Sequence, residues 1–582
     1  MNPLLIHLCL LASFAAAPPG SRAAAADEAD GSLAVARFDG DVVARVQIRT
    51  PQDLMLVTQL SGDMWSHAAG VGSEADFRLS SSALDTLRRA GVPVRVLIPD
   101  LQKRIDAERD RLSVQARGAD WFADFKNLAA VNARLDALVA AHPGLVSIVT
   151  AGTSIEGRTI RGIRISRYPA GTTLPAFIFN GTAHAREWAS TMTAMWIADQ
   201  MIEQDGVDPH SSAILDSAEV YIFPVQNPDG YEYTWNSNRL WRKNRRKVNA
   251  SNYGVDMNRN WSVGWGGSGS SSSPSSETYR GTAAFSEPET QGMRNFMQAH
   301  TNLVGFIDFH SYSQLWLWPW SYTSTLSPDE AAFEAIGYPM QTALGSLYGT
   351  YYEAGPSYVT IYPAAGCIDD WAYGVEGIWS GTIEVRDTGT YGFIMPASEI
   401  IPNARENYAA ATVMMERLLA SCPVAITLGP GAVIAKDTAS TVEATAVPNV
   451  STLVTNGVRL KWSVDGGATQ TATMTSIGGN KFRATLPAIG CGSQLSWWVE
   501  AQTKFITTRA PLNKPNAFNT TVAQACGIPG DLDGDGVVDS ADLGLMLLNY
   551  GACPVPADCA ADLDHDGTVD SADLGILLLN FT

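Results

Sequence analysis

The sequence is short of positive charge, of cysteine and histidine, and, beyond its first residues, of long apolar runs. Lys and Arg number 40 against 59 Asp and Glu, a formal net charge of −19 with a pI near 4.8. That deficit argues against a nucleic-acid partner, which needs clustered cations. No stretch after residue 26 approaches the roughly 18 apolar residues of a membrane-crossing helix, so no span is expected. Residues 1–26 read as a secretory signal peptide, an apolar run over 4–17 followed by small residues at 23–26. No Lys or Arg precedes that run, which leaves open a misplaced start or a lipid-facing helix. Of seven cysteines, Cys9 lies in this leader, and Cys422, Cys491, Cys526, Cys553 and Cys559 fall late. An oxidising, extracellular setting permits pairing whose connectivity cannot be read, though Cys553 and Cys559 could close a local loop. Cys367 reads as a small buried residue rather than a catalytic one.

The chain's 582 residues imply three or more domains. Residues 33–112 form a small α+β unit: strands in 42–48 and 92–98, helices in 50–60 and 80–91, and a charged helix over 100–112. Arg109, Arg111 and Arg117 then offer a place for proteolytic processing. Over 119–421, strand-like and helical runs alternate, which predicts a mixed sheet with helices on both faces. Residues 424–525 are rich in Thr, Val, Ser and Gly with period-two strands, a β-sandwich of immunoglobulin or fibronectin type III kind. Residues 528–582 hold an internal repeat, GDLDGDGVVDSADLGLMLLNYG echoed by ADLDHDGTVDSADLGILLLNF.

The chemistry lies in the second region. In NGTAHAREWAS, His184 and Glu187 follow a strand-like run, and a turn there could aim both at one metal. Alone, this spacing is weak. His310 ends another apolar run and is a candidate third ligand, one of only eight histidines. Glu384 sits among β-branched neighbours, where a charge is costly without a partner. It is either a general base acting on the attacking water or the ion-pair partner of Arg386 on the same strand face. The basic run 236–247 and VDMNRNW could be solvated surface. Equally, Arg with Asn matches the planar carboxylate of a peptide C-terminus, and an Arg can stabilise an oxyanion.

Taken together, HAREW, NPDGYEYTWNSNRLWRKNR, DMNRNW, SETYRG, HSYSQLWLWPW, IYPAAG, DDWAYG and IEVRDTGTYGFIMPAS resemble, in order, the zinc carboxypeptidases of the pancreatic A and B type. The resemblance covers residues 119–421 and implies a mixed sheet of about eight strands between helices. It implies one catalytic zinc held by His184, Glu187 and His310, with Glu384 as catalytic carboxylate and Arg242 on the oxyanion. Asn258, Arg259 and Tyr362 would bind the substrate's terminal carboxylate, and Arg186, Arg239 and Tyr312 would line outer subsites. The expected substrates are protein and peptide C-termini. Asp369 falls at the base of the side-chain pocket, with Ser321 beside it as in the B-type, which implies C-terminal Lys or Arg. A rotated or solvated Asp369 would give broad specificity instead. Cys367 and Ile368 depart from the small residues usual in that loop.

Residues 33–112 resemble the family's activation propeptide, cut near 112–118, or form a permanent accessory domain. In the C-terminal repeat, Asp531, Asp533, Asp535, Asp539 and Asp542, then Asp562, Asp564, Asp566, Asp570 and Asp573, stand at calcium-loop positions, with Gly536 and Gly567 at the sharp turns. Apolar helices are expected at 543–549 and 574–580. The pair resembles a dockerin type I module with two structural calcium ions, which implies a cohesin-like or cell-surface partner. Two other readings stand beside the peptidase: a relative acting on peptidoglycan or side-chain-linked glutamate, and a non-catalytic binding protein.

Overall fold

The computed structural model describes residues 35–66, 69–114, 120–170, 174–300, 302–421, 423–428, 439–448, 453–488, 493–503, 507–510, 519–522, 528–533, 537–553 and 559–581. The leader 1–26, Arg117, Cys422, Cys491, Cys526, Asp535 and Gly536 lie outside the described residues.

The N-terminal unit runs β1 (Asp41–Gln47), α1 (Pro51–Leu60), β2 (Ser61–Met64), β3 (Glu74–Ser80), α2 (Ser81–Arg89), β4 (Val94–Ile98) and α3 (Leu101–Ser113). Its antiparallel sheet has the order β2-β3-β1-β4. Each helix starts where a side chain accepts an orphan N–H: Thr50 from Asp53, Ser80 from Ala83, Asp100 from Lys103. Strands β2 and β3 go beyond the sequence reading. SGDM has no apolar alternation, and β3 carries a buried Asp76.

The central region adds β5 (Val146–Thr153), β6 (Thr159–Ile165), β7 (Ala176–Gly181), β8 (Glu219–Phe223), β9 (Leu303–Ser311), β10 (Leu315–Trp318), β11 (Glu353–Pro356) and β12 (Trp379–Val385). They form one eight-stranded sheet, β11-β10-β12-β9-β7-β8-β6-β5. The inner strands β12, β9, β7 and β8 run parallel, and β10, β6 and β5 bring antiparallel pairings. Every position of β7, β9 and β12 is buried, which is why β7 and the first half of β9 read as apolar runs rather than as alternating strands. The helices are α4 (Leu128–Ala141), α5 (Trp188–Glu203), α6 (Pro209–Ser217), α7 (Pro228–Asn236), α8 (Pro288–Ala299), α9 (Glu330–Ser346), α10 (Ser357–Thr360), α11 (Ile368–Gly374) and α12 (Ile400–Ser421). One apolar cluster joins α4, α5, α6, α9 and α12 to the sheet, and a second joins α8 and α11, so helices cover both faces.

The N-terminal unit packs on this region through a mixed cluster: Val43, Trp65, Ile98, Leu101 and Ile105 meet Leu240, Tyr312, Phe393 and Ile394.

Residues 423–522 hold two antiparallel sheets. One is β13 (Pro423–Leu428), β14 (Ser440–Pro448), β17 (Thr475–Gly478) and β18 (Lys481–Leu486); the other is β15 (Leu453–Val464), β16 (Gln470–Thr473), β19 (Gln494–Thr503), β20 (Thr507–Ala510) and β21 (Asn519–Val522). Val442, Ala444, Leu460, Leu486, Leu495 and Val499, drawn from both, share one apolar cluster.

In the C-terminal repeat, α13 (Ser540–Leu548) and α14 (Ser571–Leu579) begin earlier than the apolar runs suggest. Asp539 and Asp570 close reciprocal capping boxes with Asp542 and Asp573, which sets the start. Cys553 and Cys559 form a disulfide, and Cys367 is free and buried. Among the described residues, no helix is long and apolar enough to cross a membrane.

Candidate active site

The carboxyl ends of β7, β9 and β12 lie side by side, the edge at which parallel α/β sheets place their sites. After β7 the chain turns through His184, and Glu187 stands at the N-cap position of α5 without a capping side-chain bond. His310 is near the end of β9, and its neighbour across the ladder on β12 is Glu384. Parallel pairing therefore sets a metal-ligand candidate and a carboxylate next to each other.

Ligand atoms of His184, Glu187 and His310 lie within 4.8 Å of one another, all buried. His184 Nδ1 is 2.9 Å from Glu187 Oε1, and His310 Nδ1 is 3.0 Å from Glu187 Oε2. The two Nδ1 atoms face each other at 2.9 Å. The outer ring nitrogens are already committed: His184 Nε2 to Asp256 Oδ1 at 3.0 Å, His310 Nε2 to Asp308 Oδ2 at 2.8 Å. A carboxylate on each Nε2–H fixes the tautomer and turns the Nδ1 lone pairs inward, the orientation a bound metal needs. Burial opposes ionisation of Glu187, yet the facing His184 and His310 hold its carboxyl well below the usual range. Two imidazoles and a carboxylate are a zinc donor set with a fourth position left open. Asp256 and Asp308 were not identified from sequence. Asp308 could have been, since alternation puts it on the same face of β9 as His310.

Asp256 also organises the neighbouring cations. Its Oδ2 accepts from Arg242 Nη2 at 2.9 Å and its Oδ1 from the Asn258 backbone N–H at 2.9 Å. Burial works against its charge, but Arg242 and His184 keep it well below the ordinary carboxylate range. Arg242 Nη1 lies 3.6 Å from Glu187. Arg259 donates from Nη1 to the Asn258 carbonyl at 2.6 Å and from Nε to that of Gly269 at 2.8 Å. Its Nη2 reaches Tyr362 Oη at 2.7 Å, so the tyrosine is folded onto the guanidinium.

One cavity is lined by His184, His310, Arg259, Tyr362, Asp369 and Glu384, with Cys367 in its wall. The two adjacent aspartates of α11 divide their work. Asp370 accepts the backbone N–H groups of Ser321 and Tyr322, while Asp369 faces the cavity beside Thr382 and Ser321 hydroxyls at 3.3 and 3.5 Å. Burial pushes the Asp369 carboxyl up to about 6. The ion pair considered for Glu384 with Arg386 is not the one formed: Arg386 is engaged by Glu399 and Glu406.

Arg186, Arg239 and Tyr312 are brought together, but against the N-terminal unit. Arg186 pairs with Asp63, Arg239 with Glu108, and the Tyr312 hydroxyl donates to Asp76 at 2.9 Å. In the C-terminal repeat, Asp531, Asp533 and Asp542 cluster, as do Asp562, Asp564 and Asp566. Asp539 and Asp570 cap helices, and Asp573 accepts the N–H groups of Leu563, Asp564 and Asp570.

A deeply covered two-histidine, one-carboxylate site on a mixed eight-stranded sheet, faced by an arginine cluster, defines a zinc peptidase. Residues 131–410 match the zinc carboxypeptidase family and residues 44–108 the carboxypeptidase activation peptide. Carboxypeptidase A1 of Bos taurus is 39% identical over 398 residues, 66% of this chain and 94% of that protein. Among solved structures, thrombin activatable fibrinolysis inhibitor aligns with a TM-score of 0.61 at 28% identity, covering 66% of this chain and 99% of that one. The carboxypeptidase A of Helicoverpa armigera aligns with a TM-score of 0.59 at 26% identity, covering 66% and 98%. The chain belongs to the zinc carboxypeptidase family: it is a metallocarboxypeptidase of the A type, a hydrolase carrying its activation propeptide.

Proposed function

We propose that the protein is a secreted carboxypeptidase, made as a zymogen, that removes C-terminal Lys and Arg. The observation that carries the specificity is Asp369, a carboxylate facing the cavity that also holds Arg259, His184 and His310. An Asp there attracts a cationic side chain and leaves an apolar one opposite an unpaired charge. Zinc held by His184, Glu187 and His310 would supply Lewis acidity to the scissile carbonyl and to water.

The chain's own residues do the rest. Arg259 Nη2, Asn258 and Tyr362 hold the terminal carboxylate, which restricts cleavage to the last peptide bond. Glu384, one rung from His310, takes a proton from the attacking water and passes it to the leaving nitrogen. Arg242, tethered by Asp256, donates to the developing oxyanion. Arg186, Arg239 and Tyr312 line the upstream subsites once the propeptide, residues 33–112, is cut away near 112–118. The catalytic unit spans 119–421, followed by the two-sheet domain over 424–525.

Residues 528–582 act as a calcium-binding, dockerin-like module for a cohesin-like or cell-surface partner. Its two acidic clusters support that reading. A broad-specificity enzyme is the second reading, favoured by the burial that raises the Asp369 carboxyl and so weakens its preference for a cationic side chain.

The deciding experiment compares hydrolysis of blocked dipeptides ending in Arg and in Phe by the processed protein, with and without a zinc chelator. Chelator-sensitive release of Arg well above Phe is expected. Equal release would discard the basic preference. No release by zinc-loaded protein would discard the peptidase reading in favour of a binding protein.

A further inference from the structure

The propeptide meets the catalytic unit with carboxylates in places that a substrate chain would otherwise reach. Arg186 follows one zinc ligand and precedes another, so its guanidinium starts beside the reacting centre. It is buried, and Asp63 takes only its Nη1, at 2.6 Å. Among the described residues, Arg186 Nε and the second oxygen of Asp63 are buried without a hydrogen-bond partner. Arginine pairs best with a carboxylate through two parallel hydrogen bonds, and this pair makes one. The propeptide thus occupies the guanidinium without saturating it.

Arg239 lies next in the same cleft, its Nη1 holding the Arg186 carbonyl at 3.0 Å. Glu108 takes Arg239 with both oxygens, at 2.6 and 3.3 Å. Both guanidiniums are backed by aromatic faces, Arg186 at 4.1 Å from the Phe393 ring centre and Arg239 at 3.6 Å from that of Trp188. Those rings stay with the catalytic unit when the propeptide leaves. The counter-charges do not. Glu277, an exposed carboxylate of the catalytic unit, is within electrostatic reach of Arg186, Lys243 and Arg242.

We infer that the processed enzyme selects chains with a carboxylate side chain just upstream of the residue it removes, bound by Arg186 and Arg239 in place of Asp63 and Glu108. The inference rests on the peptidase reading above and adds a substrate class to it. With Asp369 at the other end of the cleft, a chain that is acidic and then basic at its terminus matches both charges in one direction only.

The test uses the full-length protein, zinc-loaded and freed of its propeptide by limited proteolysis. Blocked tetrapeptides ending in Arg carry Glu, Gln, Ala or Lys at the penultimate position or the one before. Glu should exceed its isostere Gln by about fivefold in kcat/KM at low salt, with Lys below Ala, as expected for a partly desolvated charge pair. High salt should shrink the gap, and R186Q should bring Glu and Gln together. Equal rates for Glu and Gln in the wild-type enzyme, with the Ala peptide cleaved, would overturn this inference alone. A Glu preference that persisted in the R186Q, R239Q double variant would also overturn it. Failure to cleave any peptide of the series would instead overturn the peptidase reading.

Discussion

Replacing Asp256 by Asn should damage zinc affinity and turnover together, because one carboxylate serves both. Its Oδ1 receives His184 Nε2 and the Asn258 N–H, and its Oδ2 receives Arg242. An amide can keep one of these edges. If its oxygen stays with His184, its NH2 confronts the Arg242 donors; if it flips, His184 loses its acceptor and its tautomer. Losing the carboxylate behind a ligating histidine costs roughly 10- to 100-fold in metal affinity, about 1.4–2.7 kcal/mol at ~1.36 kcal/mol per tenfold. Freeing Arg242 from its tether removes an oriented oxyanion donor, for which a drop of about 100-fold in kcat is the expected scale. Zinc affinity is read by competition with a chromophoric chelator, and turnover is then measured at saturating zinc. A folded D256N enzyme with wild-type affinity and wild-type kcat would refute the reasoning. Weakened affinity with full kcat would separate the two roles and leave Arg242 independent of Asp256.

Three further outcomes are expected. Burial pushes the Asp369 carboxyl up to about 6; on the proposed basic specificity it is the charged form that selects Lys and Arg, so the Arg-over-Phe ratio should fall as pH drops through about 6 and return above it. D369A should lose the ratio at every pH, as read from kcat/KM profiles for both substrates. E108Q leaves Arg239 buried without its counter-charge, which for a buried pair costs about 3–5 kcal/mol; the unprocessed protein should then hydrolyse small blocked dipeptides markedly faster than the wild-type zymogen. Calcium should raise the melting temperature of the C-terminal transition in full-length protein, and D542N should abolish that shift, because Asp542 also holds the Leu532, Asp533 and Asp539 N–H groups.

The eight-stranded sheet was legible because inner strands buried on both faces leave apolar runs such as AFIF and LVGFI. The zinc ligands were legible because their motifs sit where those runs stop. The supporting carboxylates were harder to find. Asp256 contacts His184 from 72 residues away, a closure that no local pattern encodes. In sequence, Glu108 is one more charge on the helix over 100–112; its partner Arg239 lies 131 residues away. Strand β3 was missed even though Ala75, Phe77 and Leu79 alternate with polar residues in EADFRLS; Asp76, on its polar face, is buried by partners in distant segments, Arg45 and Tyr312. Helix starts in the C-terminal repeat were set by capping aspartates rather than by the apolar runs that follow them.

The pairing of His310 with Glu384 across adjacent strands has a consequence for how such an enzyme can change. Their spacing is a rung of the sheet, about 4.8 Å from strand to strand, maintained by backbone hydrogen bonds along the whole ladder. Side-chain substitution nearby does not alter it. The residues proposed to sort substrates, from Ser357 through Asp369, ride on short helices and connecting loops outside that ladder. Reaction geometry and substrate choice are therefore inherited through separate parts of the backbone, and drift in the second need not retune the first.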